Sequence, residues 1–207
     1  MPSSSRPRGR PRTFDRDSAL EAAVSLFWRH GYEGTSIADL TAAMGVTPPT
    51  LYAAFGSKEE LYKEVLVRYF DHHGGRARAE ALRQEPSAYR ALECYLRNVA
   101  QQFVDPAMPA GCMISTSTLF CAEENKAAAD ATAAARAMAM AMLEGRFAAA
   151  KRDGQLPDDV DPADLAHFYG AVVQGMSVQA HDGASVDALN NLIDLALKAW
   201  PGTPPVL

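Results

Sequence analysis

An all-α chain is predicted: three short helices in a small N-terminal domain, a fourth helix leading out of it, and a larger C-terminal helical domain. Three observations carry this. Apolar residues recur three and four positions apart through most of the chain, and no stretch keeps the period of two that a half-buried strand needs. Residues that cap helices stand at the edges of these runs: Asp15, Ser36, Thr47, Ser57, Asp161 and Ser185 at the starts, Gly31, Gly45, Gly154 and Gly183 at the ends. Two of the helices, Ile37–Met44 and the one opened by Pro48, are short and separated by three residues around a glycine, the spacing of a helix-turn-helix.

The elements follow in order. Residues 1–14 mix Pro, Ser and Gly with four Arg and no acid, and read as a disordered basic arm. The first helix covers Arg16–His30, with Leu20, Ala23, Val24 and Phe27 inward. The second places Ile37, Leu40 and Met44 on one face, starts in a capping box of Ser36 and Asp39, and stops at Gly45, where a left-handed residue is needed. The third has Thr47 as N-cap, Pro48 where a missing N–H costs nothing, and Leu51 and Phe55 inward. Ser57 and Glu60 form another capping box, opening a fourth helix from Lys58 to about 71–73 with Leu61, Val65 and Leu66 inward. The first domain is therefore set at 15–60, with 58–73 as connector.

Gly74-Gly75 and Glu85-Pro86 read as breaks. Leu92, Tyr95, Leu96, Val99 and Phe103 predict a helix over 87–104, followed by a loop to Gly111 and a helix over 112–122. An Ala-rich helix over 124–152 comes next, with Lys151 and Arg152 in its last turn. Asp161-Pro162 starts a helix to His181 carrying Leu165, Phe168, Val172, Val173 and Met176. Ser185 caps the last helix, with Val186, Leu189, Leu192, Ile193, Ala196 and Leu197 apolar. The second domain spans 74–200 and a tail 201–207.

Composition narrows the function. The 207 residues are 22% charged and 48% hydrophobic, an ordinary globular balance. The net charge of −5 argues against an evenly basic coat, but residues 1–62 carry seven basic and seven acidic groups, so the deficit lies entirely in the rest. The four Arg before Asp15 are the local positive charge that phosphate contact requires. Three Cys at 94, 112 and 121 are too few for a disulfide framework and fit a reducing cytoplasm. The five His do not converge with them at metal spacing, so neither a metal nor another cofactor is expected. The N-terminus has no signal-peptide pattern and no run is apolar enough to span a membrane. No phosphate loop, nucleophile–base pair or paired-carboxylate motif points to an enzyme.

The residues Thr35-Ser36-Ile37, Gly45-Val46-Thr47, Thr50-Leu51-Tyr52, Phe55 and Ser57-Lys58-Glu59-Glu60-Leu61 resemble the DNA-binding domain of the TetR family of bacterial regulators, over roughly residues 12–70. Pro49, Ala53 and Ala54 depart from the family's usual residues. The resemblance implies a transcriptional regulator, most often a repressor, that holds a near-palindromic operator on double-stranded DNA as a homodimer and leaves it when a small-molecule effector binds the C-terminal domain. It places Thr50, Tyr52 and Lys58 at positions that touch phosphate or base edges.

Chemistry adds further DNA contacts. Thr35, Ser36 and Thr47 stand at helix N-termini, where unused N–H groups favour anions. Arg10 and Arg12 can enter a minor groove. The outward face of the third helix offers Thr47, Pro48, Pro49, Thr50 and Ala53, with no Arg, Asn or Gln for bidentate base contacts. For the effector, Tyr95, Phe103, Met108, Cys112, Met113, Phe120, Met138 and Met142 compose an apolar pocket between helices, or a plain helical core. Cys112 follows Gly111 at a predicted helix start, so it is either a thiolate that senses electrophiles or oxidants or a small buried hydrophobe. A small-molecule carrier with a vestigial helix-turn-helix is a weaker alternative. For the homodimer, Leu165, Phe168, Val172, Met176, Leu189, Leu192, Ile193 and Leu197 supply the apolar faces of the last two helices.

Overall fold

The caps named above set the ends of most helices in the computed structural model, which describes residues 14–202. The helices are α1 Arg16–His30, α2 Ile37–Met44, α3 Pro48–Phe55, α4 Lys58–His72, α5 Gly75–Gln84, α6 Ala88–Phe103, α7 Met113–Thr116, α8 Lys126–Arg152, α9 Pro162–His181 and α10 Val186–Leu197. A 3-10 turn at Glu123–Asn125 precedes α8, and no strand occurs among the described residues. None of these helices is long and apolar enough to cross a membrane.

Side chains cap the starts as the residue types predict. Asp15 accepts from the N–H groups of Asp17 and Ser18. Ser36 and Asp39 form the full reciprocal capping box. Thr47 accepts from the Thr50 N–H, Ser57 from Glu60, Asp161 from Ala163 and Ser185 from Ala188. Gly45 is left-handed at φ 66°, which lets the chain turn from α2 into α3 within three residues.

One segment to which the sequence pattern assigns no element forms a helix, and another differs from expectation. The stretch between Gly75 and Glu85 is a helix, although only Leu82 of it is fully buried. With a single inward anchor it has no apolar stripe to read, and the Gly pair at its start mimics a loop. The helix expected over 112–122 shrinks to the single turn Met113–Thr116. Beyond it Ser117 and Thr118 are buried, and Ser117 bonds across to Tyr62 and to the Tyr32 N–H, so the local helical pattern yields to tertiary contacts.

Two apolar cores result. One joins α1–α4 through Leu20, Phe27, Leu40, Leu51, Phe55, Leu61 and Val65, and also takes in Met113 and Ala128 from the C-terminal domain. The other is built from α5, α6, α8, α9 and α10 around Leu92, Leu96, Phe103, Leu143, Phe147, Tyr169, Met176, Leu189 and Ile193. Helix α4 is stapled to α1 by Arg16–Glu64 at 2.7 Å and by Arg68, which reaches Asp17 and Glu21.

A buried polar lock ties the two domains together. The Tyr62 hydroxyl on α4 lies 2.5 Å from Ser117 Oγ and 2.9 Å from Thr132 Oγ1. The Tyr32 N–H donates to Ser117 O, and at the surface Glu33 accepts from the Ala122 N–H and from Asn125 Nδ2. Burial pushes the Tyr62 phenol above its ordinary range, keeping it a neutral donor. Tyr62→Phe strands the Ser117 hydroxyl in a dry site, while Thr132 keeps its bond to Ala128 O, so it is expected to cost ~1–3 kcal/mol, read as a lower urea midpoint with an unchanged slope.

Candidate functional site

Helix α3 divides cleanly between its two sides. Leu51 and Phe55 are buried beneath it, while Thr47, Pro48, Pro49 and Ala53 are exposed, Thr50 is half-buried and Tyr52 is 45% exposed. The Thr47 and Thr50 hydroxyls lie 3.0 Å apart and the Thr50 N–H donates to Thr47 Oγ1. Those hydroxyls stand at the positive end of the helix, where a phosphate oxygen is favoured. The outward face carries a phenol, two hydroxyls, prolines and methyls, with no formal charge.

Around it the remaining predicted contacts are sorted by burial. Ser36 is exposed at the start of α2 and engaged in its capping box. Thr35 is not available: it is 1% exposed and its hydroxyl donates to Gly31 O at 2.7 Å. The β-branched residue satisfies the end of α1, a role that looks the same as a capping donor in one dimension. Lys58 is half-buried, with Nζ 4.2 Å from the centroid of the Tyr32 ring. Burial lowers its amine, with Glu33 and Cys121 opposing that. Arg10 and Arg12 lie outside the described residues. At their boundary, Phe14 packs edge-on against Phe55, and Arg16 covers the same ring.

The apolar residues chosen for an effector pocket do not converge. Phe103 is buried in the C-terminal core, with Tyr95 and Met142 packed against it. Met113 is buried in the other core. Met108 is at the surface, Met138 is 71% exposed and Phe120 is 92% exposed. Period alone cannot tell which side of a helix faces a neighbour, and α8 is long enough to present Met138 outward. Only Met142 lines the open groove between the end of α5 and α8, together with Arg83, Glu85, Arg146 and Asp153. Cys112 packs against both cores. Its N–H donates to Ser177 Oγ at 2.8 Å, and Tyr69 Oη lies 3.5 Å from its sulfur. The helix after it is a single turn, Met113–Thr116.

Sequence reasoning missed the polar groups beside Cys112. Tyr69 from α4, His73 just past its end, Arg78 from α5 and Gln102 from α6 gather there, linked by contacts from Arg78 to Gln102 Oε1 and to His73 O. His73 Nε2 is 2.8 Å from Glu21 Oε1, and its ring stacks on Tyr69 and meets Trp28 edge-on. The Gly74-Gly75 pair that brings Arg78 back over α4 was the available signal.

The faces of α9 and α10 also need correction. Leu165, Met176, Leu189, Ile193 and Leu197 are buried in the subunit's own core, so they cannot meet a second chain. Of the residues chosen, Phe168 is exposed, and Val172 and Leu192 are half-buried. The exposed stripe runs through Phe168, Ala171, Gly175 and Val178 on α9, and Ala188, Leu195 and Ala199 at and beyond α10, with Leu192 beside them. Both helices are apolar on two sides, and the pattern does not say which side the subunit keeps.

Residues 19–65 match the family model of the bacterial regulatory proteins, tetR family. The chain is 38% identical over 194 residues to the HTH-type transcriptional repressor ComR of Escherichia coli (strain K12), covering 94% of this chain and 92% of that one. It is 37% identical over 110 residues to the transcriptional repressor BdcR of the same organism, covering 53% of this chain and 55% of that one. Among solved structures it superposes, at a TM-score of 0.89 and 42% identity, on a cysteine-substituted variant of the TetR family transcriptional regulator CifR complexed with 26-bp double-strand operator DNA, covering 93% of this chain and all of that one.

Proposed function

The chain belongs to the TetR family of bacterial regulatory proteins, and on that premise we propose how its parts act. It is a DNA-binding transcriptional regulator of the repressor kind. Its DNA-binding unit is residues 15–60, the connector is α4, and residues 74–200 carry the effector site and the dimer face. Helix α3 lies in the major groove with Thr47, Thr50 and Tyr52 against phosphates and base edges, Pro48 and Pro49 against thymine methyls, and Ser36 against the neighbouring phosphates. Lys58 leaves the Tyr32 ring to reach a phosphate. Arg10 and Arg12 extend the contact into the minor groove. The stripe through Phe168, Val178 and Leu195 meets its symmetry mate, so two copies of α3 face two half-sites of the operator.

A small-molecule effector bound in the C-terminal domain favours an arrangement whose α3 spacing no longer fits the half-sites. The single observation behind this reading is the exposed, polar-tipped face of α3 on a fully anchored two-turn helix. A gel shift across a salt series, on DNA flanking its own gene, tests it. Affinity is expected to fall steeply with salt, and removing residues 1–12 is expected to weaken binding and flatten the slope. Salt-independent binding, or none, would count against it.

A further inference from the structure

The polar cluster beside Cys112 is rich in donors and poor in acceptors. Arg78 stands in the first turns of α5 and folds back over its N-terminus, so close that a side chain at Gly74 would meet its guanidinium. A cation at that end of a helix opposes the dipole, and Gly74 supplies no side-chain cap. The acceptors Arg78 has are neutral: Gln102 Oε1 and the His73 carbonyl. No carboxylate of the described residues pairs with it, whereas its neighbour Arg76 takes Asp71 and the nearest buried imidazole, His73, takes Glu21. Gln102 then turns its amide nitrogen into the interior, where it is buried without an acceptor. The Tyr69 and Tyr95 phenols are raised by burial, and both feel the charge of Arg78. His73 Nδ1 adds a second polar atom buried without a partner. Tyr95, Cys112 and Arg78 are each only partly buried, so the cluster is not sealed.

We propose that this cluster, at the meeting of α4, α5 and α6, binds the effector through a carboxylate: Arg78 grips it, Gln102 Nε2 donates to it, and an apolar body packs toward Tyr95 and Phe103. The effector class is thus a small organic acid. The guanidinium fork matches a carboxylate in two bonds, and a partly desolvated site strengthens them. The ligand supplies the countercharge that the chain omits at this place. Because α4 carries Tyr69 and ends at His73, and also carries the Tyr62 lock, occupancy is felt directly by the helix that leads into the DNA-binding domain. The proposal deepens the effector-release reading above and rests on it.

Calorimetric titration of the full chain at fixed ionic strength decides it, with benzoate and hexanoate as probes and benzamide and hexanamide as neutral controls. The acids are expected to bind at least about tenfold more tightly than the amides, and Arg78→Gln to remove that difference while leaving the melting temperature and operator affinity in place. Gln102→Glu gives Arg78 an internal carboxylate, so it is expected to raise the melting temperature and abolish acid binding, which keeps the test sound even if Arg78→Gln folds poorly. Amides that bind as well as acids, no acid binding below about 10 mM, or a Gln102→Glu chain that still binds acids would overturn the proposal. Operator release is measured in parallel. Release by the amides alone overturns the carboxylate claim and leaves the effector reading standing. Acid binding with the operator still held sinks the release reading and leaves the anion site standing.

Discussion

A chain carrying both Phe168→Glu and Leu195→Glu is expected to sediment as a monomer and to bind operator at least about a hundredfold more weakly than the parent. Both side chains lie at the surface of the subunit, Leu195 at 64% and Phe168 at 43% exposed, and of the core rings Phe168 meets only Tyr169, edge-on, so both changes are expected to leave the fold in place. In a twofold interface each substitution appears twice and places like charges against an apolar partner. Charges that must be desolvated without partners cost several kcal/mol each. Losing the second half-site then removes the linkage that makes two weak contacts strong. The melting curve of the monomer should remain cooperative. Ile193→Glu is the contrast: Ile193 is fully buried, and a charge there is expected to unfold the C-terminal domain rather than split a dimer. Analytical ultracentrifugation and fluorescence anisotropy with labelled operator read both outcomes. A double variant that still sediments as a dimer would place the interface elsewhere.

The second large effect is expected on α3. Tyr52→Ala with Thr50→Ala should weaken operator binding by roughly 30–1,000-fold, the loss of two good contacts at ~1–2 kcal/mol each. Neither residue is among those buried in the N-terminal core, so the thermal transition should move little. Leu51→Ala marks the other side of the same helix. It is buried at 0% exposure and is expected to cost ~2–5 kcal/mol of stability. Lys58→Met probes a different term, because its ammonium is held against the Tyr32 ring at 4.2 Å. If Lys58 swings out to a phosphate in the complex, the salt slope should fall by about one. Equal affinity of the Tyr52/Thr50 variant and the parent would remove α3 from the groove.

The first four helices were legible because each is closed by a local signal that needs no tertiary information. Ser36 with Asp39, Gly45, and Thr47 with Pro48 set α2, the turn and α3. Leu20, Ala23, Val24, Phe27, Leu40, Leu51 and Leu61 were legible as core because a small domain leaves each helix one apolar face. The C-terminal domain was legible as helices but not as surfaces. Helices α9 and α10 are apolar on two sides, so Leu189 and Ile193 were assigned to the wrong one. Met138 and Phe120 follow the same rule, since an apolar side chain on a long helix or loop carries no mark of its neighbour. Helix α5 was hidden by its lone buried Leu82. The donors around Cys112 come from α4, α5 and α6, far apart in sequence, and only the fold collects them.

The account rests on paired α3 helices set into successive major grooves of one face of a duplex. Hydroxyl-radical footprinting of the full chain, on a fragment selected from the DNA beside its own gene, examines this directly. Two protected patches on the same face, centred about one helical turn apart and lost together on Phe168→Glu with Leu195→Glu, are the predicted result. A single patch that survives in the monomeric variant, or no protection at low salt, would contradict it.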